Sequence, residues 1–124
     1  MILLLLVSLA GGLGAASRFL LDGAITRRST LSFPVATLSV NVTGSFLLGA
    51  LVQASAAADL TVLPAVAGVG FLGGFTTFST ASVELVGLVR SGRWVAAVVL
   101  GVSMLLLSVV AALLGILIVG ALVG

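Results

Sequence analysis

The chain has 124 residues, of which 61% are hydrophobic and 6% charged. A soluble domain carries about a quarter charged side chains, so this composition cannot build a solvated surface. Cysteine, histidine and tyrosine are absent, which argues against disulfides, thiolate metal sites and the histidine-based triads and clusters of hydrolytic enzymes.

The acidic residues are Asp22, Asp59 and Glu84, and the basic ones Arg18, Arg27, Arg28, Arg90 and Arg93. The excess of arginine does not point to nucleic acid, because no basic stripe runs along any helix. The arginines flank apolar runs and read instead as determinants of membrane topology. The long uncharged runs between the charges cover residues 1–17, 29–58, 61–83 and 94–124. A helix crosses the hydrocarbon core with about 20 apolar residues. The expectation is an all-α, multi-pass protein of the cell membrane, surrounded by lipid. It forms a single domain with spans near 2–21, 34–57, 62–89 and 94–122.

The first span reaches full length only by including Arg18 near its end, where the side chain can snorkel. A signal peptide is the rival reading of this segment, but the positive charge follows the apolar stretch instead of preceding it. With four spans, both termini share a side with Asp59. All five arginines fall on or beside the two opposite loops, residues 22–33 and 90–93, which the positive-inside rule assigns to the cytoplasm.

In the second span Thr37, Asn41 and Ser45 recur at i, i+4 and i+8 and so share a helix face. The Asn41 amide offers two N–H donors suited to an anion. It serves equally well as hydrogen-bonding glue between helices.

The third span is the least helix-like. Gly68, Gly70, Gly73 and Gly74 precede Thr76, Thr77, Ser79 and Thr80. Each glycine costs roughly 1 kcal/mol in a helix interior relative to alanine, and hydroxyls can satisfy backbone groups that a break sets free. Two half-helices are expected, over 62–72 and 79–89, broken near 73–78 at mid-membrane. The plainer reading is that the glycines only permit tight packing. Phe75 and Phe78 flank two of the threonines, and the positive ring edges can line an anion path without a formal charge. Ser103 and Ser108 are the hydroxyls of the fourth span.

These segments together resemble the Fluc/CrcB family of fluoride channels. The matching stretches are Gly11-Gly12-Leu13-Gly14-Ala15-Ala16-Ser17-Arg18, Thr37-Leu38-Ser39-Val40-Asn41-Val42-Thr43-Gly44-Ser45-Phe46-Leu47-Leu48-Gly49, and Gly70-Phe71-Leu72-Gly73-Gly74-Phe75-Thr76-Thr77-Phe78-Ser79-Thr80 followed by Glu84. The resemblance implies passive export of fluoride by an antiparallel, inverted dimer of dual topology. It also implies a structural sodium ion at the dimer centre, held by backbone carbonyls of Gly73 and Thr76. Pore roles carry over to Asn41, Phe78 and Ser108, with Thr37, Ser45 and Phe75 as further path candidates. Arg18 and Glu84 match charged positions characteristic of the family.

One departure stands out: the family's second pore phenylalanine falls at Ala81 here. Together with the one-sided arginines, it raises the expectation of a heterodimer with an oppositely oriented homologue, against a homodimer. Two rival functions remain. A proton-coupled small multidrug-type exporter would need a carboxylate in the first span, and 2–21 contains none. A non-conducting subunit or scaffold would be equally well served by the small-residue motifs.

Overall fold

The computed structural model describes all residues, Met1–Gly124, and is all-helical. Helix α1 spans Ile2–Arg28, α2 Val35–Ala57, and a π-helical segment Pro64–Leu72 runs directly into a short α3, Gly73–Phe75. After three non-helical residues α4 covers Ser79–Arg90, and α5 covers Trp94–Val123. Four stretches are long and apolar enough to cross a membrane, the third being Pro64–Arg90 with the interruption inside it.

The first span is longer than expected. Residues 22–28 continue α1, so Asp22 is helical instead of belonging to a loop. Arg18 also departs from the expected snorkelling position: its Nε donates to the Gly74 carbonyl at 3.2 Å, anchoring α1 to the interrupted span. The other four arginines lie together at the end of the molecule that carries the two loops after α1 and α4.

The turns follow from local chemistry. Gly92 adopts φ +78 after α4, and the N–H groups of Gly92 and Arg93 return to the carbonyls of Val89 and Leu88. This left-handed cap is what a glycine just past a helix end provides. At the opposite membrane face Asp59 takes φ 53, and Leu60 N–H closes onto Ser55 O at 2.9 Å. Arg93 donates to the carbonyl of Ser32, tying the two arginine-bearing loops together.

Small residues set the packing. A Cβ on Gly14 would lie 2.0 Å from the Phe71 carbonyl oxygen, and one on Gly74 would lie 2.1 Å from that of Gly11. α1 thus lies backbone against backbone on the first half of the third span. Gly49 and Gly115 form a second such seam, where added Cβ atoms would meet Ala112 O at 2.1 Å and Phe46 O at 2.3 Å. There α2 and α5 pack along their length. Close approach through small residues is how membrane helices gain contact when lipid removes the hydrophobic drive. Only 17 of 124 residues are buried, so most of the apolar surface faces lipid or another protein chain.

Candidate functional site

The interruption at residues 76–78 lies midway along Pro64–Arg90. The expected breaking agent was the glycine pair, and the structure revises this. Gly73 is helical at φ −61 and ψ −39, and the chain departs from helix at Thr76, with φ −80 and ψ 159. The pair's contribution is proximity: Gly74 meets α1, and Gly73 lines an open groove. Ahead of it the nine residues Pro64–Leu72 form wide π turns, so that Gly73 N–H reaches back to Gly68 O. Such turns are rare and are frequent at functional sites when they do occur.

The loose backbone at the break is strapped from two sides. Leu72 O receives both Thr76 N–H, at 2.9 Å, and Thr76 Oγ1, at 3.0 Å. Asn41 then takes Thr77 in both directions: Thr77 N–H donates to Oδ1 at 2.8 Å, and Nδ2 donates to Thr77 O at 2.9 Å. Asn41 Nδ2 also donates to Met104 Sδ at 3.2 Å. Thr77 Oγ1 accepts the Thr80 N–H at 3.1 Å and so caps α4. The break comes this close to α2 because Gly44, one turn from Asn41, has no side chain. A Cβ there would sit 2.3 Å from Thr76 Cγ2. Not every polar group at the break is engaged. The carbonyl oxygens of Gly73 and Thr76 receive no backbone hydrogen bond, and the buried Ser108 Oγ has no partner.

These groups border one groove of about 600 Å³, formed by α2, the broken span and α5. Asn41, Ser45, Thr77, Phe78, Met104 and Ser108 line it together with Gly73 and Thr76. The groove is open along one side, and the Phe78 ring beside it is 87% exposed. Asn41, Ser45, Phe78 and Ser108, singled out from sequence, therefore meet in one place. Ala81 lines the same groove but adds only a methyl group.

Two of the candidates lie elsewhere. Phe75 is buried, stacked on Phe71 with centroids 6.1 Å apart, and its ring edge approaches Gly44. Its position three residues before Phe78 turns it into the protein, away from the groove. Thr37 is also buried, and its hydroxyl donates to Glu84 Oε1 at 2.8 Å. Glu84 borders a separate cavity of about 180 Å³ with Asp22, Thr26 and Ser29. The stripe on α2 thus serves two sites, Thr37 the Glu84 side and Asn41 and Ser45 the groove. Sequence reasoning missed Met104, because an isolated methionine in an apolar helix carries no polar signal.

A membrane span interrupted at mid-depth, with unpaired backbone oxygens and convergent polar side chains, is an architecture of membrane transport proteins. The molecule is a multi-pass cell-membrane protein of that kind, not an enzyme. Residues 5–116 match the family described as CrcB-like protein, Camphor Resistance (CrcB). A protein of Leifsonia xyli subsp. xyli named fluoride-specific ion channel FluC 1 is 48% identical over 118 residues, covering 92% of this chain and 84% of its own. A Mycobacterium tuberculosis relative, fluoride-specific ion channel FluC 2, is 42% identical over 109 residues, covering 88% and 84% of the two chains. One from Ruminiclostridium cellulolyticum, named fluoride-specific ion channel FluC, is 41% identical over 118 residues, covering 94% and 88%. The chain belongs to the CrcB family.

Proposed function

We propose that this chain forms half of a fluoride-selective channel, and that fluoride leaves the cytoplasm passively along the groove between α2, the broken span and α5. The observation that carries this reading is the open groove itself. Irregular backbone at membrane depth survives only where protein or an aqueous cavity surrounds it, and here lipid would otherwise lie against the unbonded carbonyls of Gly73 and Thr76. A second chain covering the groove turns it into a conduit. The named activity of relatives up to 48% identical over most of the chain supports fluoride as the ion.

The lining fits a small, strongly hydrated anion. The second Asn41 amide proton and the hydroxyls of Ser45 and Ser108 supply donors that replace its water, and the Phe78 edge adds a positive rim without formal charge. A conducting site must also release its ion, and neutral donors allow this where a buried arginine would trap the anion. The path is accordingly assigned to Asn41, Ser45, Phe78 and Ser108, without Thr37 or Phe75.

The covering chain is a protomer of the same fold in the inverted orientation. A break midway along its span meets a partner's break at the same depth when one chain is turned over. The carbonyls of Gly73 and Thr76 border the groove and are free of hydrogen bonds, as oxygens that hold a hard monovalent cation must be. A sodium ion between the two breaks would be held by these oxygens from both chains, and its positive charge stabilises facing backbone dipoles. Arg27, Arg28, Arg90 and Arg93 all lie at one end of the molecule, which favours a single orientation. This bias favours a partner that is an oppositely oriented relative over a second copy.

Fluoride efflux from liposomes tests the assignment, with this chain reconstituted alone and together with such a relative. Efflux of fluoride but not chloride from the paired preparation is expected. Chloride efflux, or none from either preparation, would refute the channel reading. Full efflux from the chain alone would refute the requirement for a different partner.

A further inference from the structure

We infer that Met104 is a specificity-setting residue of this path, its thioether holding the one Asn41 proton that fluoride can use. The inference rests on the channel reading above and adds a residue to it.

The orientation of the Asn41 amide is fixed by Thr77. Thr77 N–H needs an acceptor, so Oδ1 faces it at 2.8 Å and Nδ2 must face the other way along the same peptide. One Nδ2 proton then goes to Thr77 O at 2.9 Å, where it holds the break. Only the second is free to bind an ion, and it points at Met104 Sδ, 3.2 Å away. A thioether is a weak acceptor, far weaker than fluoride. The sulfur therefore satisfies the proton when no anion is present and yields it when one arrives.

The position of Met104 suits such exchange. Its side chain rests on the small core of Leu88, Ala97 and Leu100 and also lines the groove beside Ser108. Methionine has three rotatable bonds and repacks at low cost, so the sulfur can swing away without disturbing the helices. Ser108, one helical turn further along α5, has a buried hydroxyl without a partner. Displacement of the sulfur opens the way between the Asn41 proton and that hydroxyl. The arrangement also discriminates, because an anion that accepts hydrogen bonds weakly gains little over the sulfur it must displace.

The sequence makes the test direct, since Asn41 is the single asparagine and Met104 the single methionine after Met1. Full-length protein with its partner chain unlabelled, carrying 15N-asparagine and 13C-methyl methionine, is titrated with sodium fluoride or sodium chloride. Fluoride is expected to move one of the two Asn41 amide protons and the Met104 methyl together, with chloride moving neither. Met104→Leu keeps the bulk and removes the acceptor. It is expected to bring the same Asn41 shift, and half-maximal fluoride efflux, to about three- to tenfold lower fluoride, the worth of one ordinary hydrogen bond. Efflux from the wild type with both resonances unmoved, or unchanged fluoride dependence in the leucine variant, would overturn the inference and leave the channel reading standing. Absence of fluoride efflux from the wild type would overturn both.

Discussion

Replacing Gly44 by alanine is expected to unlatch the break from α2. The new Cβ would lie 2.3 Å from Thr76 Cγ2. Thr76 cannot rotate out of the way without giving up its hydroxyl bond to Leu72 O at 3.0 Å. Relief therefore requires the break to retreat by about 1.1 Å, the difference between 2.3 Å and the 3.4 Å at which ordinary contact begins. That movement carries the Asn41–Thr77 bonds from 2.8 and 2.9 Å towards about 4 Å, beyond hydrogen bonding. Overpacking of this kind costs about 1–3 kcal/mol, and two lost interhelical bonds add about 0.6 kcal/mol each in a membrane protein. Gly44→Ala should then lose about 2–4 kcal/mol of stability in thermal unfolding in detergent, and most of its fluoride efflux with it. Thr76→Ser removes the offending methyl and keeps the hydroxyl. The next contacts of the new Cβ are ordinary ones, at 3.4 Å to Phe75 and 3.8 Å to Thr76 Cβ, so the double variant should recover both properties. Wild-type behaviour of Gly44→Ala, or failure of Thr76→Ser to rescue it, would refute the reasoning.

Asn41→Ala removes both bonds to Thr77, each worth about 0.6 kcal/mol at this part-buried position beside the groove. Thermal unfolding should show a loss of about 1 kcal/mol, and an unchanged or raised unfolding temperature would contradict the strap. Gly74→Ala drives a Cβ to 2.1 Å from the Gly11 carbonyl oxygen. It should push α1 off the third span and lower the unfolding temperature by several degrees, whereas the same change at Gly12, with nothing within 4 Å, should not. Replacing all sodium by a large organic cation during purification should abolish efflux and loosen the dimer on size-exclusion chromatography, and intact efflux would remove the cation from the account.

The four spans were legible because a few charges cut the chain into apolar runs long enough to cross a membrane, and the break midway along the third was legible from the Gly-Gly-Phe-Thr-Thr-Phe-Ser-Thr run. Its mechanism was not. Glycine is flexible in isolation, yet Gly73 and Gly74 stay helical because α1 and the π turns hold them, and the departure falls on Thr76, whose hydroxyl can cap the preceding turn. Spacing put Thr37, Asn41 and Ser45 on one helix face, but a face of α2 touches two neighbours, and only tertiary packing separates the Glu84 side from the groove. Arg18 and Met104 gave no warning of their contacts. Both reach backbone or side-chain groups far along the chain, at Gly74 and Asn41, that no local pattern encodes.

Ser108 offers the most direct measurement, because its buried hydroxyl makes no hydrogen bond within the chain and yet borders the groove. Ser108→Ala should leave the unfolding temperature unchanged or slightly higher, while fluoride efflux from liposomes falls by about ten- to a hundredfold, the worth of one hydrogen bond to a charged group. Efflux equal to wild type in that variant would mean that fluoride does not pass along this groove.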